Sequence, residues 1–286
     1  MKSLSRTRLL VLLAIGCSLL CMTGCLEEKE TVTVYPSGAG TIHVYQKMGE
    51  QLSGMITGFA PSPDKKAEFV ESQFYKELAK WQGVTAWSPV RGVIENGRVV
   101  YEATGYFDNI AQVKKTEADN VQSFTWTPSP DGGSKLVWNG GQMQKEQRLE
   151  DVTDEQQQQV DQIIEMFKGL RIERVAVLPG AVQTCGGCTE HKDRVASFVI
   201  TGNDVTKLLQ MQKDYRVRIT AKQITSEKAN AEFTEKTKMF KPDLQITAAP
   251  GTVTGEFDQF KKDYEKAKTD SAAAGTAKKI QQAGGL

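Results

Sequence analysis

Thr31-Val32-Thr33-Val34-Tyr35-Pro36-Ser37-Gly38-Ala39-Gly40-Thr41-Ile42-His43-Val44-Tyr45 is the stretch that decides the fold reading. Two runs of alternating β-branched and aromatic residues flank a Pro- and Gly-rich turn, the pattern of a β-hairpin. The arrangement returns downstream. Val84 to Ile94 and Arg98 to Phe107 are joined by Glu95-Asn96-Gly97. Asn-Gly is a strong hairpin signal because both residues accept positive φ. Val121 to Thr127 and Ser134 to Trp138 flank Pro128-Ser129-Pro130-Asp131-Gly132-Gly133, a third hairpin. Ile172 to Leu178, stopped by Pro179-Gly180, is expected to pair antiparallel with Arg194 to Ile200.

Helical patterns fall between these strands. Ser62-Pro63-Asp64 supplies a capping hydroxyl, a proline at the first position and an acid in the first turn, and Val70, Phe74, Leu78 and Trp81 then share one face. Asp108 is expected to cap a short helix containing Ile110 and Val113. Thr153 with Gln156 makes a capping box for an amphipathic helix through Val160, Ile163, Ile164 and Phe167, ended by Gly169. Asn203 is expected to cap a helix with Val205, Leu208 and Leu209 inward. Val217, Ile219 and Ala221 alternate with Arg216, Arg218 and Thr220, which reads as a strand with one wet face. Residues 49–61 give weak signals. The combination implies an α+β fold with a mainly antiparallel sheet built from hairpins and helices packed on one face. The expected organisation is one globular domain over 31–225 and a C-terminal extension over 226–286. That extension is read as one helix at 255–268, carrying Phe257, Phe260 and Tyr264, with an Ala/Gly/Lys/Gln tail at 269–286 too polar to order.

The first 25 residues speak of location. Lys2, Arg6 and Arg8 precede a Leu-rich run from Leu9 to Leu20, then small residues and Cys25. A membrane-crossing helix needs about 20 apolar residues. The stretch from Leu9 to Thr23 is 15 residues long and is interrupted by Gly16, Cys17 and Cys21, so it fits the h-region of a cleaved signal peptide spanning 1–24. Met22-Thr23-Gly24-Cys25 resembles the lipobox of bacterial lipoproteins, with Met22 standing where leucine is usual. The resemblance implies a diacylglyceryl thioether on Cys25, further acylation of its amino group, and a lipid-anchored protein facing the periplasm or exterior. Leu26 rather than Asp in the next position leans toward the outer membrane where one exists. Leu26 to Glu30 reads as a short acidic tether of less than about 20 Å. The hairpin after Cys25, over residues 31–45, and the strands and turn within 172–223 are similar to those of uncharacterised bacterial envelope lipoproteins with an α+β body. This implies location and fold class but no active residues.

Outside the leader the chain carries 33 basic and 35 acidic side chains, a balance that excludes a strong electrostatic case for nucleic acid. With Cys17 and Cys21 in the leader and Cys25 acylated, only Cys185-Gly186-Gly187-Cys188 remains. A single close pair in an exported chain reads as a disulfide. Two alternatives use the same residues. A thiol-redox pair wants a cysteine at a helix N-terminus, which the pattern here does not supply. A metal site would use Cys185, Cys188 and His191 with Glu190 or Asp193, but lacks the second ligand pair usual in structural zinc sites. His43 alternates with Ile42 and Val44 and is expected on a solvated strand face. Trp81, Trp87, Trp126 and Trp138 either fill the core or form an exposed row for a glycan or lipid. No motif implies a cofactor or a catalytic group. The function expected is therefore a non-catalytic binding or structural module, anchored through Cys25, for an envelope protein or a hydrophobic ligand.

Overall fold

Strand β1 (Leu26–Val34) turns through Gly38 into β2 (Gly40–Met48), as the opening pattern requires. The close return leaves no room for a side chain at Gly40, where a Cβ would lie 1.9 Å from the Thr33 carbonyl oxygen. The computed structural model describes residues 26–117, 120–140, 169–237 and 243–284. The expected signal peptide, Cys25 and the amphipathic helix expected from Thr153 lie outside them.

After β2 come α1 (Glu50–Gly58), a 3-10 turn at Pro63–Lys65, α2 (Lys66–Ala79) and β3 (Trp81–Gln82). The Asn96-Gly97 hairpin joins β4 (Ala86–Glu95) to β5 (Arg98–Phe107), with φ of 49° and 75° at the two turn residues. A 3-10 turn at Ile110–Gln112 leads to β6 (Lys114–Glu117), β7 (Asn120–Pro128) and β8 (Ser134–Asn139). Asn109 caps that turn by accepting from the Ala111 N–H, the role expected of Asp108. Then follow β9 (Arg171–Val177), β10 (Val182–Gly186), β11 (Glu190–Lys192) and β12 (Val195–Thr201). The chain continues with α3 (Gly202–Thr220), α4 (Ser226–Thr237), β13 (Leu244–Ala248), α5 (Thr254–Ala273) and α6 (Thr276–Gly284).

The strands form two sheets, ordered β11-β12-β9-β1-β2-β5-β4 and β10-β13-β8-β7-β6-β3. Among the described residues, every pairing is antiparallel except β1 with β9. The α+β class and the antiparallel hairpins are thus those the sequence implies. The two sheets share one core: Val32, Val34, Ile42, Phe107 and Ala176 from the first pack with Phe124, Leu136, Trp138 and Ile246 from the second. Helix α2 adds Val70, Phe74 and Leu78, and Phe74 stacks on Tyr101 with ring centroids 4.7 Å apart. Tyr106 lies an odd number of residues from Tyr101 and so faces the reverse side of β5. There it stacks on Tyr264 of α5 at 5.7 Å, within a cluster that includes Tyr35 and Phe260.

Three stretches differ from the sequence reading. Residues 216–220 are the end of α3, with Ala221 as its C-cap, and not a strand. The alternation of Arg216 to Ala221 fits period two, but Met211, Tyr215 and Ile219 fit a four-residue spacing that packs against Ile224 and Phe233, leaving Val217 60% exposed. The helix is started by Thr201 rather than Asn203: the Thr201 N–H and hydroxyl both donate to the Asp204 carboxylate at 2.9 and 2.6 Å. Residues 226–237 and 243–284, expected as an extension, are part of the fold. β13 lies between β10 and β8 inside the second sheet, and α6 packs Ile280 and Ala283 against the core. The alanine content read as disorder is also high helix propensity, and a few apolar contacts select the helix. Finally, Leu26 to Glu30 is the first half of β1 and not a tether.

Because Ile246 on β13 is fully buried, Ile246→Ala is expected to lower the unfolding free energy by about 2–5 kcal/mol in chemical denaturation. An unchanged midpoint would mean that 226–286 does not belong to the cooperative unit.

Candidate functional site

β1 begins at the residue after Cys25, and Leu26 is only 7% exposed. Side chains alternate along a strand, so Leu26, Glu28, Glu30, Val32 and Val34 point toward the second sheet. Two carboxylates therefore enter the space between the sheets. Glu30 is 2% exposed. Its Oε1 accepts from Lys115 Nζ of β6 at 2.8 Å, and its Oε2 accepts from Gln122 Nε2 of β7 at 3.1 Å. Arg174 Nε of β9 stands 3.9 Å from Oε2, where the parallel register sets Glu30 opposite Arg174. Lys115 also reaches Glu117 at 3.1 Å and Glu28 at 3.8 Å, and lies 5.4 Å from the centroid of the Trp81 ring. Arg174 covers Trp138 at 5.8 Å. Gln46 Nε2 donates to Glu28 at 3.4 Å.

Burial disfavours the charged form of Glu30, yet Lys115 and Arg174, with hydrogen bonds from Lys115 and Gln122, hold its carboxyl below the ordinary range. Glu28 goes the other way: burial pushes it up against the pull of Lys115, helped by Glu30 and Glu117. Burial alone would lower Lys115, but Glu30, Glu28 and Glu117 raise it. The cluster is a closed structural network, with each charge answered by another across the sheets. Sequence reasoning missed it: the alternation joining Glu28 and Glu30 to Val32 is visible, but Lys115 and Arg174 are remote in the chain.

The Cys185–Cys188 pair is disulfide-bonded, with Cα atoms 5.7 Å apart. Cys185 sits on β10 at the edge of the second sheet, and the turn through Gly187 (φ 81°) hands the chain to β11 at the edge of the first. The clasp thus closes a corner between sheets. Its loop is so short that the entropic stabilisation is only about 2 kcal/mol. His191 is exposed on β11, opposite Ala196. Among the described residues no three His, Cys, Asp or Glu side chains gather as a metal site.

His43 is half-exposed on the outer face of the first sheet, its Nε2 3.3 Å from Glu102 Oε1. Trp81, Trp87 and Trp138 are at most 6% exposed and Trp126 is partly buried beneath Gly38, so the four do not form an exposed row. The indole N–H groups of Trp126 and Trp138 and the Ser134 hydroxyl are buried without a hydrogen-bond partner among the described residues.

No family model matches the chain, and no curated protein matches it. Among solved structures, it is similar to the NMR structure of the folded domain of the Mycobacterium tuberculosis LppM protein. Identity is 10%, coverage is 63% of this chain and 84% of that one, and the TM-score is 0.29. That score is too low to carry fold or function from one chain to the other.

Removing the charge of Glu30 takes from Arg174 the carboxylate beside it and from Lys115 its shortest ion pair, leaving Lys115 with Glu117 and Glu28, so Glu30→Gln is expected to cost about 3 kcal/mol at pH 7. A carboxyl held low in the folded state contributes stability above its unfolded pKa, about 4.3, and loses it as pH falls through the folded value. The advantage of the parent over Glu30→Gln should therefore shrink between about pH 5 and pH 3 in urea titrations. A gap that stays constant would contradict the assignment.

Proposed function

We propose that this chain is a lipid-anchored envelope protein whose α+β body is a non-catalytic binding or structural module working at the bilayer surface. In this reading residues 1–24 are a signal peptide that is removed. Cys25 carries the acyl chains, and the body faces the periplasm or exterior of the cell membrane or outer membrane. Its partner is an envelope protein or a hydrophobic ligand.

The observation that carries the reading is the start of β1 at Leu26, the residue after the lipobox cysteine, already buried and paired with Met48. Two or more acyl chains on Cys25 anchor stably, where one is marginal. An anchor joined to a strand in the middle of a sheet keeps the body at the membrane, whereas a long linker would let it range. The charged groups near the anchor support a structural role, because Glu30, Lys115 and Arg174 answer one another inside the core. The cysteine pair closed on itself is in keeping with an oxidising compartment.

The test is metabolic labelling with an alkyne fatty acid in a bacterial host, followed by detergent-phase partition. The parent chain should take up label and enter the detergent phase. Cys25→Ser should lose the label and remain in the aqueous phase or keep its leader. Label retained in Cys25→Ser would overturn the reading.

A further inference from the structure

Gln51-Leu52-Ser53-Gly54-Met55-Ile56-Thr57-Gly58-Phe59-Ala60-Pro61-Ser62-Pro63 holds no charged residue, in a chain of which 25% is charged. It covers α1 after its first residue, Glu50, and the loop that follows; Glu50 itself is exposed and pairs with Arg98 at 3.5 Å. The inward stripe is well fixed. Leu52 is 3% exposed, and the Ser53 hydroxyl donates to the Met48 carbonyl at 3.2 Å while accepting from the Val99 N–H at 2.7 Å. Those two bonds fasten the helix to the ends of β2 and β5. The opposite stripe, Gln51, Gly54, Met55, Gly58 and Phe59, is exposed. Phe59 is 76% exposed, the most open large apolar side chain among the described residues, and Met55, one turn earlier, is 39% exposed. Ile94, 38% exposed, pairs with Val99, the residue whose N–H reaches Ser53. Three of the exposed large apolar side chains therefore gather at this one end of the first sheet.

That end is also where the chain enters. Leu26 faces Met48, and α1 starts two residues after Met48. Partners across an antiparallel pair stand about 5 Å apart, so the start of α1 lies within about 13 Å of Leu26. The helix itself is about 13 Å long. The far end of the same sheet is set by Val177, which faces Val195 on β12 and Thr33 on β1, about 23 Å along β1 from Leu26.

We infer that α1 and the Phe59 loop make a second membrane contact, seated in the interfacial region of the leaflet that receives the acyl chains of Cys25. The inference rests on the acylation of Cys25 proposed above. The occupant is lipid because, on the reading proposed above, the acylated residue precedes β1 beside this helix, and the stripe from Gln51 to Phe59 carries no charge, the acid that flanks it, Glu50, being answered by Arg98 at 3.5 Å. An acyl anchor fixes distance but lets a body swivel, and a neighbouring apolar contact removes that freedom. Oriented in this way, the β9–β12 end of the sheet near Val195 points away from the bilayer.

The experiment uses the full acylated chain in phosphatidylcholine vesicles, with and without brominated acyl chains, which quench nearby tryptophan. Phe59→Trp is compared with Val195→Trp and with the parent, since both substituted positions are exposed and neither is part of the core network. Vesicle flotation is measured on each sample, and the parent's fluorescence is subtracted from that of each variant. The expected result is flotation of all three, with bromolipid quenching of the indole introduced by Phe59→Trp at least about twofold greater than that of the indole introduced by Val195→Trp. Flotation with equal quenching in the two variants overturns the second contact while leaving the anchor standing. Failure to float overturns both. Equal quenching together with a dimer in sedimentation assigns this face to a second copy of the chain, and also overturns the inference.

Discussion

Glu30 holds a buried charge between two sheets, and four strands meet on its carboxylate. β1 carries it, β9 sets Arg174 beside it, β6 brings Lys115 to one oxygen and β7 brings Gln122 to the other. Such a network adds little net stability compared with a well-packed apolar core, because desolvating the charges offsets most of their attraction. Its effect is on specificity. A one-residue slip of β1 would turn Glu30 outward and bring Lys29 or Thr31 into its place, facing Lys115 and Arg174. The parallel pairing of β1 with β9, which brings distant parts of the chain together, is locked in register by the same contacts.

The start of the ordered strand follows from that lock. Because the carboxylates at 28 and 30 are committed to the core, the strand cannot fray into a linker without breaking the network. The polypeptide is therefore structured from the first residue after Cys25, and on the anchoring proposed above the orientation of the body would be decided by what lies at the entry end of β1. α1 lies there, tied by Ser53 to two strand ends. The core between the sheets and the place of α1 at the entry end of β1 are in this way consequences of a single strand register.

The hairpins are legible in the sequence because their turns are chemical statements: Asn96 and Gly97 accept positive φ, and Gly40 admits the close pass of Thr33. The class of the fold follows from counting them. What joins the hairpins is not legible. β13 enters the second sheet between β8 and β10 with only five residues, too short for periodicity to announce it. The end of α3 reads as a strand because Arg216 to Ala221 satisfies a strand alternation locally, while the helical spacing of Met211, Tyr215 and Ile219 needs a longer window. The acidic start of β1 looks like a tether because glutamates are seldom buried unless paired. Their partners come from β6 and β9, which no local reading of the chain can supply. The disulfide candidate is legible from spacing alone, but not that its turn passes from one sheet edge to the other.

Amide hydrogen exchange along β1 in the acylated full chain, followed residue by residue in detergent micelles, addresses the central claim most directly. Glu27 to Glu30 are paired on one side with Lys47 to Val44 and on the other with Arg171 to Arg174. Their slowest amides should exchange with the protection of Val32 and Val34, at rates set by global unfolding. Exchange of Glu27 to Glu30 at unprotected rates, with Val32 and Val34 still protected, would show a free tether and contradict the account.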